Sequence, residues 1–548
     1  MSKSSKLNHS DDDEKVLEQF DKLTSSGAIY INDSDDDVFV LDDDASMLNA
    51  IDEALKEADI ANQSQKQPSS QHQPSPQPQK STPQQQQQPQ PPQEQPSGFR
   101  LRNITLNEVL DQASSADEHS IGDLPFPEGA VRLTRMLGEK EDRNSFFTFR
   151  DLIQPDKLRK ALLTTYVLDM EWMMPHFNPQ TKLVIVKSYN PKSEARGAFQ
   201  SDNGRVTIVH PEFGKQRYPI MHSKIMLLFY DNYVRFVASS ANLIEIDWTI
   251  LQNIVFIQDV RLDPSRNFAP TEFGTTLTQA LHDLSVPEQV VAQISHMDLS
   301  RVAVHIVTSV PTVEGRSKFH ADAYGLVRLS QIGRRLRQQR TGIHGTGVLN
   351  PMNTELYCYG SSMGRLTNKF LCDFFCSAVG VTWSELQQRS GNRATIRNIA
   401  QRVKVGFHTN TQGNTNKFGP SSRVCIKFNP DFFYADTYPV STLHKIEPAV
   451  SDTLVHAKIV LMRTGSDCSN GWMYLGSHNF TTGAWGHMRN AGRNRFFVNN
   501  YEFGVIIPNV HFETMFGRDS VTWNGSRIPL PFKLAWSRYN DSDIPCLG

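Results

Sequence analysis

The sequence predicts an α/β protein of two similar domains in pseudo-two-fold arrangement, preceded by a disordered acidic and Gln/Pro-rich tail. Three observations carry this. One motif is written twice: YPIMHSKIMLLFYDNYVRFVASSANLIEIDW at residues 218–248 returns, in most of its pattern, as LVHAKIVLMRTGSDCSNGWMYLGSHNFTTGAW at residues 454–485. Around each copy, short apolar runs of strand length alternate with helical stretches, as in an α/β domain. Residues 61–97 hold 15 Gln and 9 Pro and no aromatic, too little apolar surface to offset the entropy of ordering.

At 548 residues and 38% hydrophobic content, the chain can bury two or three sizeable cores. No apolar stretch approaches the roughly 20 residues that span a bilayer. The opening MSKSSKLNHSDDDEK lacks the apolar segment of a secretory signal, so a soluble intracellular protein is expected. The cysteines (Cys358, Cys372, Cys376, Cys425, Cys468, Cys546) form no Cys-x-x-Cys pair and read as reduced, mostly buried thiols. A net charge of -2 conceals an asymmetry: residues 1–99 carry 18 acids and 7 bases, leaving 40 acids and 49 bases for the rest. A basic body suits a polyanionic partner, though so modest an excess fits an ordinary solvated surface equally well.

Taken in order, residues 1–98 are the tail. It contains two β-prone clusters with acids behind them, Ala28-Ile29-Tyr30-Ile31 and Val38-Phe39-Val40-Leu41. Apolar residues that extend as a strand beside acids suit strand addition to a small modifier protein, and these clusters resemble SUMO-interacting motifs; chance clusters in an acidic tail are the competing reading. Residues 46–58 have helical spacing. The first domain, residues 99–313, begins with a short helix over 104–113 and a longer one around Leu158–Leu168. Strands follow at 183–186, at 219–230 and 233–238 about a turn at Asp231-Asn232, at 254–258, and at 302–307, completing one sheet. The stretch 311–322 marks the boundary to the second domain, residues 314–548. Here the spacing predicts an Arg-rich helix at 323–339, a strand at 355–359 and a helix at 364–379. A basic stripe at Arg389, Arg393 and Arg397, with Arg402 and Lys404 behind it, reads as a solvated helix face. Strands at 453–462, 472–475 and 501–507 close the domain.

On a strand, residues i and i+2 face one way about 6.5–7 Å apart. His222 with Lys224, and His456 with Lys458, should each set an imidazole beside an ammonium. A Ser-x-Asn follows each pair, ending at Asn242 and Asn479, 20 and 23 residues after the His. One H-x-K arises easily by chance; two, each on an apolar run and each with its Ser-x-Asn, do not. Two halves meeting at a seam would surround one phosphate. Lys224, Lys458, Asn242 and Asn479 supply donors for its non-bridging oxygens. One imidazole attacks phosphorus and the other protonates the leaving oxygen. No metal is needed, and adjacent Lys cations with no His/Asp/Glu cluster near either repeat argue against one.

The duplicated H-x-K with downstream Asn resembles the phospholipase D superfamily. Most of that superfamily has Asp five residues after the Lys; here those places are Phe229 and Arg463. With NLIEIDW after the first Asn, NFTTGAWG at the second and NYEFGV beyond, the pattern is similar to the type-one tyrosyl-DNA phosphodiesterase family, from about residue 120 to the end. The resemblance implies two phospholipase D-like α/β/α domains. It implies His222 as nucleophile, His456 as general acid and base, Lys224, Lys458, Asn242 and Asn479 around the phosphate, and Glu502 in support. It further implies DNA contacts at Ser362, Met363, Gly364, Arg365 and Thr481. A Gln expected eleven residues after Asn242 is Asn253 here, with Gln252 beside it, which leaves the support on that side unassigned. The implied activity is DNA repair: removal of a topoisomerase I-derived tyrosyl peptide, or another adduct, from the 3′ end of single- or double-stranded DNA through a phosphohistidine. A nuclear monomer without cofactor or metal is expected.

Two readings of other classes compete. A lipid phosphodiesterase or a nuclease shares the chemistry, but the lipid enzyme should show the common Asp and a membrane-facing amphipathic helix. A non-catalytic nucleic-acid scaffold would not need His, Lys and Asn intact in both repeats.

Overall fold

The computed structural model describes residues 124–139, 142, 144–189, 194–212, 220–311, 323–341, 354–380, 399–465, 469–489, 495–515 and 518–547, with strand positions 30–31, 38–39 and 101–103. The expected helices at 46–58 and 104–113, the boundary stretch 312–322 and the arginines of 389–397 lie outside these residues. In the tail, Tyr30–Ile31 and Val38–Phe39 pair antiparallel.

The first sheet grows around the first repeat. Ile225–Phe229 and Tyr233–Ser239 form the expected hairpin over Asp231 and Asn232, and both strands are buried along their whole length. Ile254–Arg261 flanks the hairpin on one side, and on the other lies Lys160–Thr165, where a helix was expected. Ala161 to Thr165 is buried on both faces because the strand sits between Ile225–Phe229 and Lys182–Lys187. A run without a polar face carries no period, so position in the sheet decides its conformation. Val206–Val209 extends this side.

The second sheet repeats the order. Reading outward from Asn500–Met515, it runs through Asn470–Gly476, Ile459–Thr464, Thr354–Tyr359 and Val403–Phe407 to Leu443–Lys445. In both sheets three antiparallel pairings are followed by two parallel ones. Six strands of one half therefore match six of the other, which is the internal duplication the repeated motif announced. Helices Glu272–Asp283, Gly325–Thr341 and Asn368–Ala378 accompany the sheets. The last two cross closely at Gly333, where a Cβ would lie 2.6 Å from the Ala378 carbonyl.

Two features differ from the expectation. The strand His305–Ser309 does not complete the first sheet; it pairs antiparallel with Asn500–Met515 of the second, ahead of the expected boundary. Each H-x-K also lies in a break rather than within a strand. Ile220–Met221 pairs with the second half at Asn500 and Tyr501, and the chain then crosses to Ile225–Phe229. Reciprocally, Leu454–Val455 pairs with Leu251–Gln252 of the first half before Ile459–Thr464 begins. The tripeptides between must pass from one half's backbone to the other's, so strand geometry ends where the functional side chains stand. A single core cluster spans both halves, with Phe236 and Phe503 rings 6.1 Å apart.

Candidate active site

The crossings place both histidines at the seam. The His222 amide donates to the Tyr501 carbonyl at 2.9 Å, and the His456 amide donates to the Gln252 carbonyl at 2.8 Å. Each Lys ammonium then folds back on its own motif: Lys224 donates to the His222 carbonyl at 2.8 Å and Lys458 to the His456 carbonyl at 2.6 Å. His222, Lys224, Asn242, His456, Lys458 and Glu502 are all buried.

Each imidazole is held at Nδ1 by an acid from elsewhere in the chain. Glu502 Oε2 lies 2.9 Å from His222 Nδ1; it also accepts from Ser477 Oγ at 2.5 Å, while Oε1 accepts from Asn500 at 3.0 Å. Asp247 Oδ1 lies 2.9 Å from His456 Nδ1, though off the direction of a hydrogen bond. Asp247 Oδ2 accepts from both the backbone amide and the side-chain NH2 of Asn242, at 2.6 and 2.9 Å. Asp247 was not anticipated, although NLIEIDW was recognised as distinctive; its signal is an acid five residues past Asn242 on the one-turn helix Ile246–Thr249.

Strand register explains the substitution of one acid for the other. Counting from the matched hairpins, Asn253 occupies the place in the first half that Glu502 occupies in the second, and Ser240 bonds to Asn253 at 2.8 Å as Ser477 does to Glu502. Asn253 is one methylene shorter than Glu or Gln, and its NH2 is spent on the Asp247 carbonyl at 2.9 Å. Gln252 turns instead to the Thr134 carbonyl. Asp247 supplies the support that the sequence left unassigned.

Burial sets the electrostatics. It lowers His222 to about 4 against the pull of Glu502, with Lys224 and Lys458 adding to the lowering. Burial likewise takes His456 to about 4 against Asp247, helped by Lys458 and Lys224. Burial and mutual repulsion bring Lys224 to about 7, and burial brings Lys458 to about 8. For the acids burial acts upward, but His222, His478 and Lys224 outweigh it at Glu502, and His456 and Lys458 outweigh it at Asp247; both sit at about 2. Charges of each half thus act on the imidazole of the other. Ionised acids at both Nδ1 atoms favour Nδ1–H tautomers, leaving each Nε2 with a lone pair.

The two Asn differ. Asn242 has its amide oxygen 3.4 Å from the Val167 N–H and one NH2 hydrogen on Asp247. Asn479 Oδ1 accepts from Ser361 Oγ at 3.3 Å and from the Ser362 N–H at 3.2 Å, leaving its NH2 for an anion. The expected DNA-contact turn is therefore built into the site. Gly360 must be glycine there, because a Cβ would lie 2.9 Å from the Phe480 nitrogen. Ser362–Met363 forms a two-residue strand beside Lys427–Phe428; Met363 and Gly364 are buried, while Ser362 and Arg365 are half-buried. Thr481 caps the helix Thr482–Trp485 through the Ala484 N–H at 3.1 Å and is buried, so its hydroxyl has a structural task already.

The superfamily's Asp positions hold cation–aromatic contacts: Lys160 lies 4.5 Å from the Phe229 ring centre, and Arg463 lies 5.2 Å from that of Phe512. One ligand-type cluster does occur beside the second repeat, contrary to expectation: Asp247, Cys425 and His456. It was invisible in the sequence because its members come from three distant segments. The five described cysteines are buried, as expected, and no disulfide joins them to one another. Among the described residues, no helix is long and apolar enough to cross a membrane.

This duplicated site on two matched sheets defines a phosphoric diester hydrolase of the phospholipase D-like fold. The tyrosyl-DNA phosphodiesterase family model matches residues 130–540, and the chain belongs to that family. Tyrosyl-DNA phosphodiesterase 1 of Arabidopsis thaliana is 22% identical over 455 residues, covering 73% of this chain and 71% of that protein. The crystal structure of yeast tyrosyl-DNA phosphodiesterase shares the fold, with a TM-score of 0.57 at 17% identity over 77% of this chain and 100% of that one. A substituted form of the yeast enzyme gives 0.55 at 14% identity over 76% of this chain and 99% of that one.

Proposed function

We propose that this enzyme hydrolyses the bond between a DNA 3′ phosphate and a tyrosine, left as a topoisomerase I-derived peptide, or another 3′ adduct. The observation that carries the reading is the pair of imidazoles at one seam, each with Nδ1 held by a buried ionised acid and Nε2 bearing the lone pair. His222 Nε2 attacks phosphorus, the bond to the tyrosyl oxygen breaks, and protonated His456 supplies the proton to that oxygen. Neutral His456 then takes a proton from water, which cleaves the phosphohistidine and returns His222. Lys224, Lys458, Asn242 and Asn479 hold the oxygens through both displacements, and the incoming phosphodiester anion raises His456 from its low resting value. Ser362, Met363, Gly364, Arg365 and Thr481 flank the DNA strand. We further place the enzyme in the nucleus as a monomer, with the acidic tail clusters as a SUMO contact.

Release of a chromophoric tyrosine mimic from a DNA 3′ end, measured beside choline release from a phospholipid, tests the substrate; choline release alone reverses it. On a denaturing gel, His456→Ala should accumulate an acid-labile protein–DNA adduct and His222→Ala none. The opposite pattern exchanges the two roles.

A further inference from the structure

One buried group beside the machinery has no part in the chemistry above. Cys425 ends the 3-10 turn Pro420–Cys425 and comes up behind His456, so that its Sγ, Asp247 Oδ1 and His456 Nδ1 all lie within 4.8 Å of one another. All three residues are buried. Buried polar atoms are ordinarily satisfied by hydrogen bonds, yet neither Asp247 Oδ1 nor His456 Nδ1 has an aligned partner, although they lie 2.9 Å apart. The first half has no equivalent: His222 Nδ1 is properly bonded to Glu502, and no third ligand group joins them among the described residues.

Thiolate, imidazole nitrogen and carboxylate oxygen are the donor set of zinc, with tetrahedral bonds of about 2.0–2.3 Å that set donors roughly 3.3–3.6 Å apart. The three atoms reach that spacing with shifts of about an ångström. We propose that Asp247, His456 and Cys425 form a three-ligand site for a zinc-class divalent cation, and that filling it switches the enzyme off. The inhibition rests on the reading of His456 as acid and base. The cation displaces the Cys425 thiol proton to solvent and takes the Nδ1 lone pair of His456, so the one imidazole proton moves to Nε2. Nε2 then has no lone pair with which to accept a proton from water, and the phosphohistidine persists. Mg²⁺, which prefers oxygen ligands, is not held.

The test uses the full chain, Cd²⁺ as a spectroscopic probe and Zn²⁺ as inhibitor, with Cys425→Ser as comparison. The expected result is a thiolate-to-Cd²⁺ ultraviolet band of one equivalent that is absent from Cys425→Ser. Zn²⁺ should inhibit the wild type reversibly by chelator, and the variant should require about tenfold more ion or higher, as for loss of one metal-supporting group. No Cys425-dependent band, or equal Zn²⁺ sensitivity in both proteins, overturns the site. A Cys425-dependent band with turnover unmoved overturns the inhibition alone, and the His456→Ala adduct assay then reports separately whether the role of His456 has fallen.

Discussion

Replacing Asp247 by Asn should stop the reaction halfway. Asp247 Oδ2 accepts two bonds from Asn242, at 2.6 and 2.9 Å, while Oδ1 faces His456 Nδ1 at 2.9 Å. In Asp247→Asn the new amide has a single oxygen, and keeping both Asn242 bonds points its NH2 at His456. The imidazole must then present Nδ1 as acceptor and carry its proton on Nε2. That form can donate a hydrogen bond from Nε2 but cannot take a proton from water there. Restoring the useful tautomer requires turning the amide over and leaving two buried N–H groups unpaired, at about 1–3 kcal/mol each. A cost of about 2–6 kcal/mol slows the second displacement about 30-fold to 25,000-fold.

The first displacement should suffer less, because a phenolate leaves with little assistance. Quenched single-turnover reactions with tyrosyl-DNA, run on denaturing gels, should therefore show a protein–DNA adduct that decays slowly. Glu502→Gln should weaken the hold on His222 without inverting it, because the oxygen that keeps the Ser477 bond is the same one that faces His222 Nδ1. With a neutral amide in place of an ionised acid, the first step should slow and no adduct should build up. If Asp247→Asn slows both steps equally, the tautomer argument is wrong; if Glu502→Gln accumulates adduct, His222 is not the nucleophile that Glu502 supports.

Turnover should be bell-shaped in pH. For a tyrosyl substrate, whose phenolate leaves with little help from the His456 proton, kcat/KM should rise as His222 loses its proton near 4, since the nucleophile is neutral above that value, and fall as Lys224 and Lys458 lose theirs near 7 and 8, since they hold phosphate only when charged; a rate still climbing above about pH 9 contradicts the assignment of the lysines. Excess chelator should leave the rate unchanged or raise it, because charge stabilisation is assigned to Lys and Asn side chains; inactivation reversed by an added divalent ion refutes that. Single-stranded DNA affinity should fall log-linearly with salt at a slope of about -0.7 per neutralised phosphate, and deleting residues 1–97 should leave single-turnover rates intact with equal or tighter DNA binding. A markedly slower truncated enzyme would place the tail in the site. Replacing Ile29, Ile31, Val38 and Val40 by Ala should abolish SUMO binding without touching turnover, and an unmutated tail that shows no SUMO binding in a titration ends that idea.

The sequence disclosed what repeats and concealed what crosses. His222, Lys224, Asn242 and their counterparts stood out because a second copy lay 234 to 237 residues on. Glu502 followed from the family pattern. The strands Ile220–Met221, Leu251–Gln252 and Leu454–Val455 are two residues long and pair across halves, so no periodic signal marks them. The H-x-K was consequently assigned to continuous strands, and His305–Ser309 to the wrong sheet. Lys160–Thr165 was lost to the ambiguity of an apolar run. Asp247 lay in plain view within NLIEIDW, but nothing local says that an acid there reaches a histidine 209 positions away.

That missed acid bears on why two matched halves should do different work. Exact symmetry would give both histidines the same partner, and nothing would separate nucleophile from base. Here Glu502 is aligned on His222 and anchored by Ser477 and Asn500, which fixes one ring in the orientation an attacking nucleophile needs. The matched position in the other half is Asn253, too short and already engaged, so His456 takes Asp247, which approaches without alignment. A less tightly held imidazole suits a group that must give a proton to the tyrosyl oxygen and later take one from water, at two different positions. Restoring symmetry with Asn253→Glu should bring a second acid toward His456 and raise its proton affinity. If role follows from the holding acid, that variant should release tyrosine normally but resolve the phosphohistidine more slowly as pH falls, a split that equal changes in both steps would rule out.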